Sequence, residues 1–227
     1  MLLIPIPIII AGGILLGGTI AFFLLRKKAN NKLKNKSVIL LGPPVSGKTT
    51  IINWLLNGKF TANYNASNTE KREGEMYRDG YTISWSDMGG ASIFLARGDF
   101  EQIFTKHDVV LFVFNIDKYT SDSGYQLDEN ARLEALKLVS EKHPMLKKVI
   151  MLIGSHSDCY KKTRGISDDN ELASVFQSDI THLLEQKDYF DFLLTHPLIL
   201  ANLTNKNEVS GILKKLIEEL DKLGKNE

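Results

Sequence analysis

Eight consecutive residues, Gly42-Pro43-Pro44-Val45-Ser46-Gly47-Lys48-Thr49, fit the pattern G-x-x-x-x-G-K-[ST] at every specified position. The chemistry of such a stretch is phosphate binding. Its two glycines free the backbone to turn its N–H groups inward around a β-phosphate. Lys48 is then placed to bridge β- and γ-oxygens, and the Thr49 hydroxyl to ligate Mg²⁺. Thr50 continues the stretch, and all nine residues are candidates for contact with a nucleotide.

Two further groups extend that chemistry. Asp87-Met88-Gly89-Gly90 follows 38 residues after Thr49. An acidic residue at a strand end can hold Mg²⁺ through water, and Gly90 leaves its N–H free to approach a third phosphate. Upstream, the Asn-rich stretch 63–71 offers Thr69 as a second Mg²⁺ ligand, with Ser67 as the alternative. The third group is Gly154-Ser155-His156-Ser157-Asp158. A carboxylate at Asp158 can accept from guanine N1–H and its exocyclic amine, a donor pair that adenine lacks. A site built on such bonds rejects the wrong base strongly. His156 either walls the nucleotide or simply packs, and Cys159 beside Asp158 carries no assigned role.

These groups need elements to hold them. Ser37–Leu41 reads as a buried strand running into Gly42, and Thr49–Leu56 as the helix that leaves Thr49. Glu75–Arg78 and Tyr81–Ser86 flank Asp79-Gly80, a two-residue hairpin signal. Asp108–Phe114 and Val149–Gly154 are buried strands, and Leu198–Ala201 a last short one. Leu127–Val139, Asn170–Leu184 and Val209–Leu220 carry helical spacing. The stretches Asn115–Tyr125 and Lys161–Asp169 read as polar loops. Strands alternating with helices predict an α/β domain with a mostly parallel six-stranded sheet and one antiparallel edge strand.

The charge is segregated. The chain has 227 residues, 28 of them Lys or Arg and 27 Asp or Glu, but none of these falls between Met1 and Leu25. Six positives then follow in residues 26–36, which leaves 22 basic and 27 acidic residues in 37–227, a net of −5. Leu2–Leu25 as a helix would be about 36 Å long, against roughly 30 Å of hydrocarbon. The expectation is a single transmembrane signal anchor over 1–25, a basic linker over 26–36 and a nucleotide-binding domain over 37–227. By the positive-inside rule that domain lies in the cytosol and Met1 across the membrane. Endoplasmic reticulum and bacterial inner membrane both fit. Gly13 and Gly17 are spaced for close approach of a second helix, although glycines are common in membrane helices in any case. A single Cys excludes a disulfide framework and a Cys-based zinc cluster. Nothing in the pattern points to direct nucleic-acid binding.

Taken in order, the three motifs resemble those of Ras-like small GTPases, and Trp85-Ser86-Asp87-Met88-Gly89-Gly90 is most similar to the Arf/Sar-like branch. The order of anchor, basic collar and domain is similar to that of the signal recognition particle receptor β-subunit family, which usually has D-x-P-G at the second motif. The resemblance implies a P-loop NTPase small G domain, GTP or GDP with Mg²⁺ as cofactors, and a cytosolic partner that reads the switch regions. In the base motif, usually N-K-x-D, only Asp158 is kept. The family's last motif, S-A-K, falls on Ala201-Asn202-Leu203, a poor match that makes Asn202 a site candidate. Where relatives carry the water-orienting Gln stands Ala91, so intrinsic hydrolysis should be slow; Ser92 and Arg97 are the nearby substitutes. Pro44 replaces a residue often Gly and donates no N–H. The expected function is a membrane-anchored GTP-dependent switch or docking subunit. A nucleotide-stabilised scaffold and an NTPase driving a transport step are the alternatives.

Overall fold

The computed structural model describes residues 8–10, 18–33, 36–53, 71–78, 81–88, 97–184, 192 and 195–224. Strands and helices follow in the order β1 (Ile8–Ile10), α1 (Gly18–Lys32), β2 (Ser37–Leu41), α2 (Lys48–Ile52), β3 (Lys71–Arg78), β4 (Tyr81–Met88), α3 (Arg97–Lys106), β5 (Val109–Asn115), α4 (Ile116–Ser121), α5 (Ser123–Lys142), β6 (Val149–Ser155), α6 (Ser157–Arg164), α7 (Asp169–Leu184), β7 (Leu198–Leu200) and α8 (Lys206–Gly224).

The strands form one sheet in the order β1-β7-β6-β5-β2-β4-β3, parallel throughout except for the antiparallel β3–β4 pair. Arg78 pairs with Tyr81, so β3 and β4 pair in the expected register; Asp79 and Gly80 lie outside the described residues. Each central strand feeds two cores, because successive side chains point to opposite faces. Val109, Leu111 and Val113 of β5 pack with α1 and α8, and Val110, Phe112 and Phe114 pack with α3, α5, α6 and α7. A sheet buried on both faces needs apolar residues at every position, and β5 and β6 are buried along their whole lengths. Across the second face, the Glu101 carboxylate on α3 accepts from Lys142 at 2.6 Å and meets His143 Nε2 at 2.7 Å, tying α3 to the end of α5.

The expected strand count is corrected. The sheet has seven strands rather than six, because Ile8, Ile9 and Ile10 pair in parallel with Leu198, Ile199 and Leu200. Among the described residues no helix is long and apolar enough to cross a membrane. Helix α1 instead lies along α8. Phe22, Ala29 and Leu33 share one face of it and are fully buried, with Arg26 between them buried as well. Lys32 pairs with Asp221 of α8. An uncharged run satisfies its backbone equally well in a sheet ladder or in a helix, so lack of charge alone does not decide where it goes.

Two expected loops are largely helical. The Asn115 side chain accepts from Lys118 N at 3.1 Å and caps α4; Asp122 accepts from Gly124 N and Tyr125 N, both at 3.0 Å, and caps α5. Ile116 and Tyr119 of α4 are buried, too few apolar residues to make a readable stripe. Helix α6 takes the first part of 161–169 and ends at Gly165, which sits at φ 67°.

Candidate functional site

The cradle begins where β2 ends. Gly42 has φ 133°, and a Cβ there would stand 1.9 Å from the Val113 carbonyl oxygen of β5, so only glycine fits. Val45 at φ 65° and Gly47 at φ 97° turn the loop through further positive-φ steps. Such alternation points successive N–H groups toward one concavity, an anion-binding arrangement. Lys48 is buried, and its Nζ donates to the carbonyls of Gly42 at 2.9 Å and Pro43 at 2.6 Å, so its charge is held over the mouth of the loop. Pro43 and Pro44 give up two N–H donors, and Pro44 is exposed. Thr49 and Thr50 follow in the first turn of α2.

The base side lies across the same strand ends. Gly47 faces Leu203, whose Cδ1 would be 2.5 Å from a Cβ on that glycine, and Ser155 lies just beyond. The Ser155 hydroxyl donates to Phe114 O at 2.9 Å and lies 2.8 Å from His156 Nδ1. A hydroxyl has one proton, so His156 must donate from Nδ1 to Ser155. His156 occupies the left-handed region at φ 60°, and burial holds its pKa below the ordinary histidine range, so it is neutral at pH 7. Exposed Asp158 follows in the first turn of α6. Burial, with Asp158 and Asp117 nearby, pushes the Cys159 thiol up, which makes a reactive thiolate unfavourable.

Register positions the third group. Asp87 pairs with Leu40 on one side and Arg72 on the other, so the end of β4 emerges beside the residues that lead into Gly42. The side chain of Asp87 lies outside what is described, as does that of Arg97 at the start of α3. Ser67, Thr69, Gly90, Ala91 and Ser92 also lie outside the described residues. Three predicted groups thus lie at the C-terminal ends of interior strands: the phosphate loop after β2, the base loop with Asp158 after β6, and the end of β4.

Asn202, the candidate from the last motif, is held from within its own loop. Its side chain turns back to accept from Thr204 N and Oγ1, at 3.0 and 2.8 Å. Its main-chain N–H donates to Glu208 Oε2 at 2.7 Å, and the same oxygen accepts from Ser157 Oγ at 3.2 Å. Glu208, in the first turn of α8, therefore joins the loop after β6 to the loop after β7; sequence reasoning missed it because its partners lie 51 and 6 residues away. Glu129 was missed too. It is fully buried, accepts from Arg132 through Oε1, and lies within reach of the Lys48 charge. Its position was readable: Tyr125, Glu129, Leu133 and Leu136 recur at helical spacing, so an acid sits within an otherwise core-facing stripe.

The sequence profile described as 50S ribosome-binding GTPase matches residues 37–153, from the start of β2 to the strand that carries the base loop. No curated protein matches the chain. Among solved structures, the chain is similar to Toc33 from Arabidopsis thaliana, solved in complex with GDP and Mg²⁺. The two are 14% identical, with a TM-score of 0.57, and the match covers 90% of this chain and 92% of that one. At that identity the likeness speaks for the fold.

Proposed function

The chain belongs to the family of 50S ribosome-binding GTPases, and from that membership we propose that it is a GTP-dependent switch or docking subunit, with slow hydrolysis of its own. The observation that carries the proposal is the cradle itself. Gly42, Val45 and Gly47 are all held at positive φ, with the Lys48 ammonium drawn over the loop mouth. Positive-φ steps of this kind turn backbone N–H groups toward an anion, and Lys48 brings a positive charge beside them.

In this reading Gly42–Thr50 hold the phosphates, and Asp158 selects guanine over adenine. Mg²⁺, which supplies charge neutralisation between the second and third phosphates, would be held by Thr49 with Asp87 and Thr69. The donor set suits it, being hydroxyl and carboxylate oxygen. Ala91 supports the slow rate, since its side chain cannot orient a water molecule. The Asp87-Met88-Gly89-Gly90 stretch supports placement near the Arf/Sar-like branch.

A second element of the proposal is residence at a membrane with the nucleotide domain in the cytosol. Its support is the uncharged stretch from Met1 to Leu25 followed by six positives. In α1 as folded, Phe23 and Leu24 are exposed beside exposed Lys27 and Lys28, a surface suited to anionic lipid. The partner would be a protein that reads the region around Thr69 and residues 87–97.

The test uses the full chain. The co-purifying nucleotide is identified and its hydrolysis followed over a single turnover. GTP or GDP with turnover slower than about one per minute is the expected result. Bound ATP would sink the guanine reading, and faster partner-free turnover the slow-switch reading. Flotation with liposomes containing anionic lipid checks the membrane element separately.

A further inference from the structure

Glu129 is the one fully buried carboxylate among the described residues, and half of it is unsatisfied. Oε1 accepts from Arg132, while Oε2 takes no hydrogen bond from the described residues. Most buried carboxylate oxygens are paired, because an unpaired one forfeits its hydration for nothing. Its place explains what it faces. One turn earlier on α5, the Tyr125 hydroxyl accepts the main-chain N–H of Asn115, the last residue of β5, at 2.8 Å. Two residues back from Asn115 is Val113, whose carbonyl Gly42 passes so closely that no side chain fits. This face of α5, the end of β5 and the mouth of the cradle are therefore contiguous, and the Lys48 charge acts on Glu129 directly.

We propose that Glu129 is a specificity-determining residue of the phosphate site: a buried negative charge that opposes the third phosphate and so shifts the site's preference from GTP toward GDP. The inference rests on the guanine-nucleotide reading above. Each added phosphate brings negative charge toward a carboxylate that solvent does not screen. Glu129 also competes for Lys48, the cation that the third phosphate needs. At an effective dielectric near 20, opposition between two like charges costs on the order of tenfold in affinity. Burial pushes the Glu129 carboxyl up to about 7, against the pull of Arg132 and Lys48 and with Asp128 adding to the rise. The opposition is consequently weak in mild acid and strong above neutrality, and Tyr125 beside it stays protonated throughout, since burial raises its hydroxyl well above its usual range.

The experiment measures GDP and GTP affinities of the full chain by calorimetry at fixed Mg²⁺, for wild type and Glu129→Gln. The variant keeps size and shape while removing the charge. The expected result is a gain of on the order of tenfold in GTP relative to GDP. An unchanged or reversed ratio, in a wild type that binds both nucleotides, overturns the proposal. A wild type that binds neither overturns the guanine reading instead. Should Glu129→Gln fail to fold, the wild-type ratio decides the matter: a loss of GTP preference between pH 6 and pH 8.5 supports the proposal, and a flat ratio overturns it.

Discussion

Glu208 holds the main-chain N–H of Asn202 at 2.7 Å while receiving the Ser157 hydroxyl at 3.2 Å. One carboxylate thereby fixes the spacing between the two loops on which a base would rest. Hydrogen bonds to a charged group contribute about 2 kcal/mol each at most in such half-buried settings. Glu208→Ala should therefore lower GTP affinity about tenfold, with ATP affinity changing far less. Competitive titration with both nucleotides checks it; an equal loss for the two would mean that Glu208 only supports the fold.

Gly42→Ala should be severe. Its Cβ would meet the Val113 oxygen at 1.9 Å in a backbone conformation at φ 133°. Neither strain can relax without moving β5. A loss of about 3 kcal/mol or more is expected, read from urea unfolding, along with loss of nucleotide binding.

Lys48→Ala and Asp158→Asn separate the two halves of the site. The first removes the cation held over the loop and should abolish binding of any nucleoside triphosphate with the fold intact by circular dichroism. The second should weaken GTP by about a hundredfold and leave ATP unchanged.

The phosphate loop was legible because its chemistry is contiguous: eight residues in a row, with a strand before them and a helix after. Residue 158 was legible as a carboxylate following a buried strand, and the hairpin from Asp79-Gly80. Leu203 against Gly47 was not, since the two meet only through folding of residues 156 positions apart. Helix α4 was hidden by its brevity, with Ile116 and Tyr119 alone pointing inward. The pairing of Ile8–Ile10 was not legible for a physical reason. Isoleucines that complete a sheet edge and isoleucines that enter lipid have the same composition, and only packing partners such as Leu198 and Leu220 distinguish them.

Stability of the nucleotide-free chain should depend on pH through Glu129. Its folded pKa, about 7, lies above the unfolded value of 4.5. The folded state thus binds the proton more tightly, so this contribution to stability is complete in acid and is lost as pH rises from about 4.5 through 7. The full loss is about 3 kcal/mol. Glu129→Gln lacks it, so wild type should lose about 2 kcal/mol relative to the variant from pH 5.5 to pH 8.5 in urea titrations. A constant difference would contradict the assignment.

Phe22 is fully buried within the core that α1 shares with α8. Phe22→Ala should cost about 3 kcal/mol, measured by chemical unfolding. No change would mean that α1 does not pack on the domain in solution.

By pairing with β7, β1 forms one margin of the sheet among the described strands. Among the described strands the other margin is β3, Lys71–Arg78, with Lys71, Arg72, Glu73, Glu75 and Arg78 along it. If the isoleucines were drawn away, β7 would become a bare three-residue template of Leu-Ile-Leu, adhesive to other chains and adjoining the loop that Glu208 secures. The N-terminal segment therefore covers β7 and moves that margin of the sheet out to Ile8–Ile10.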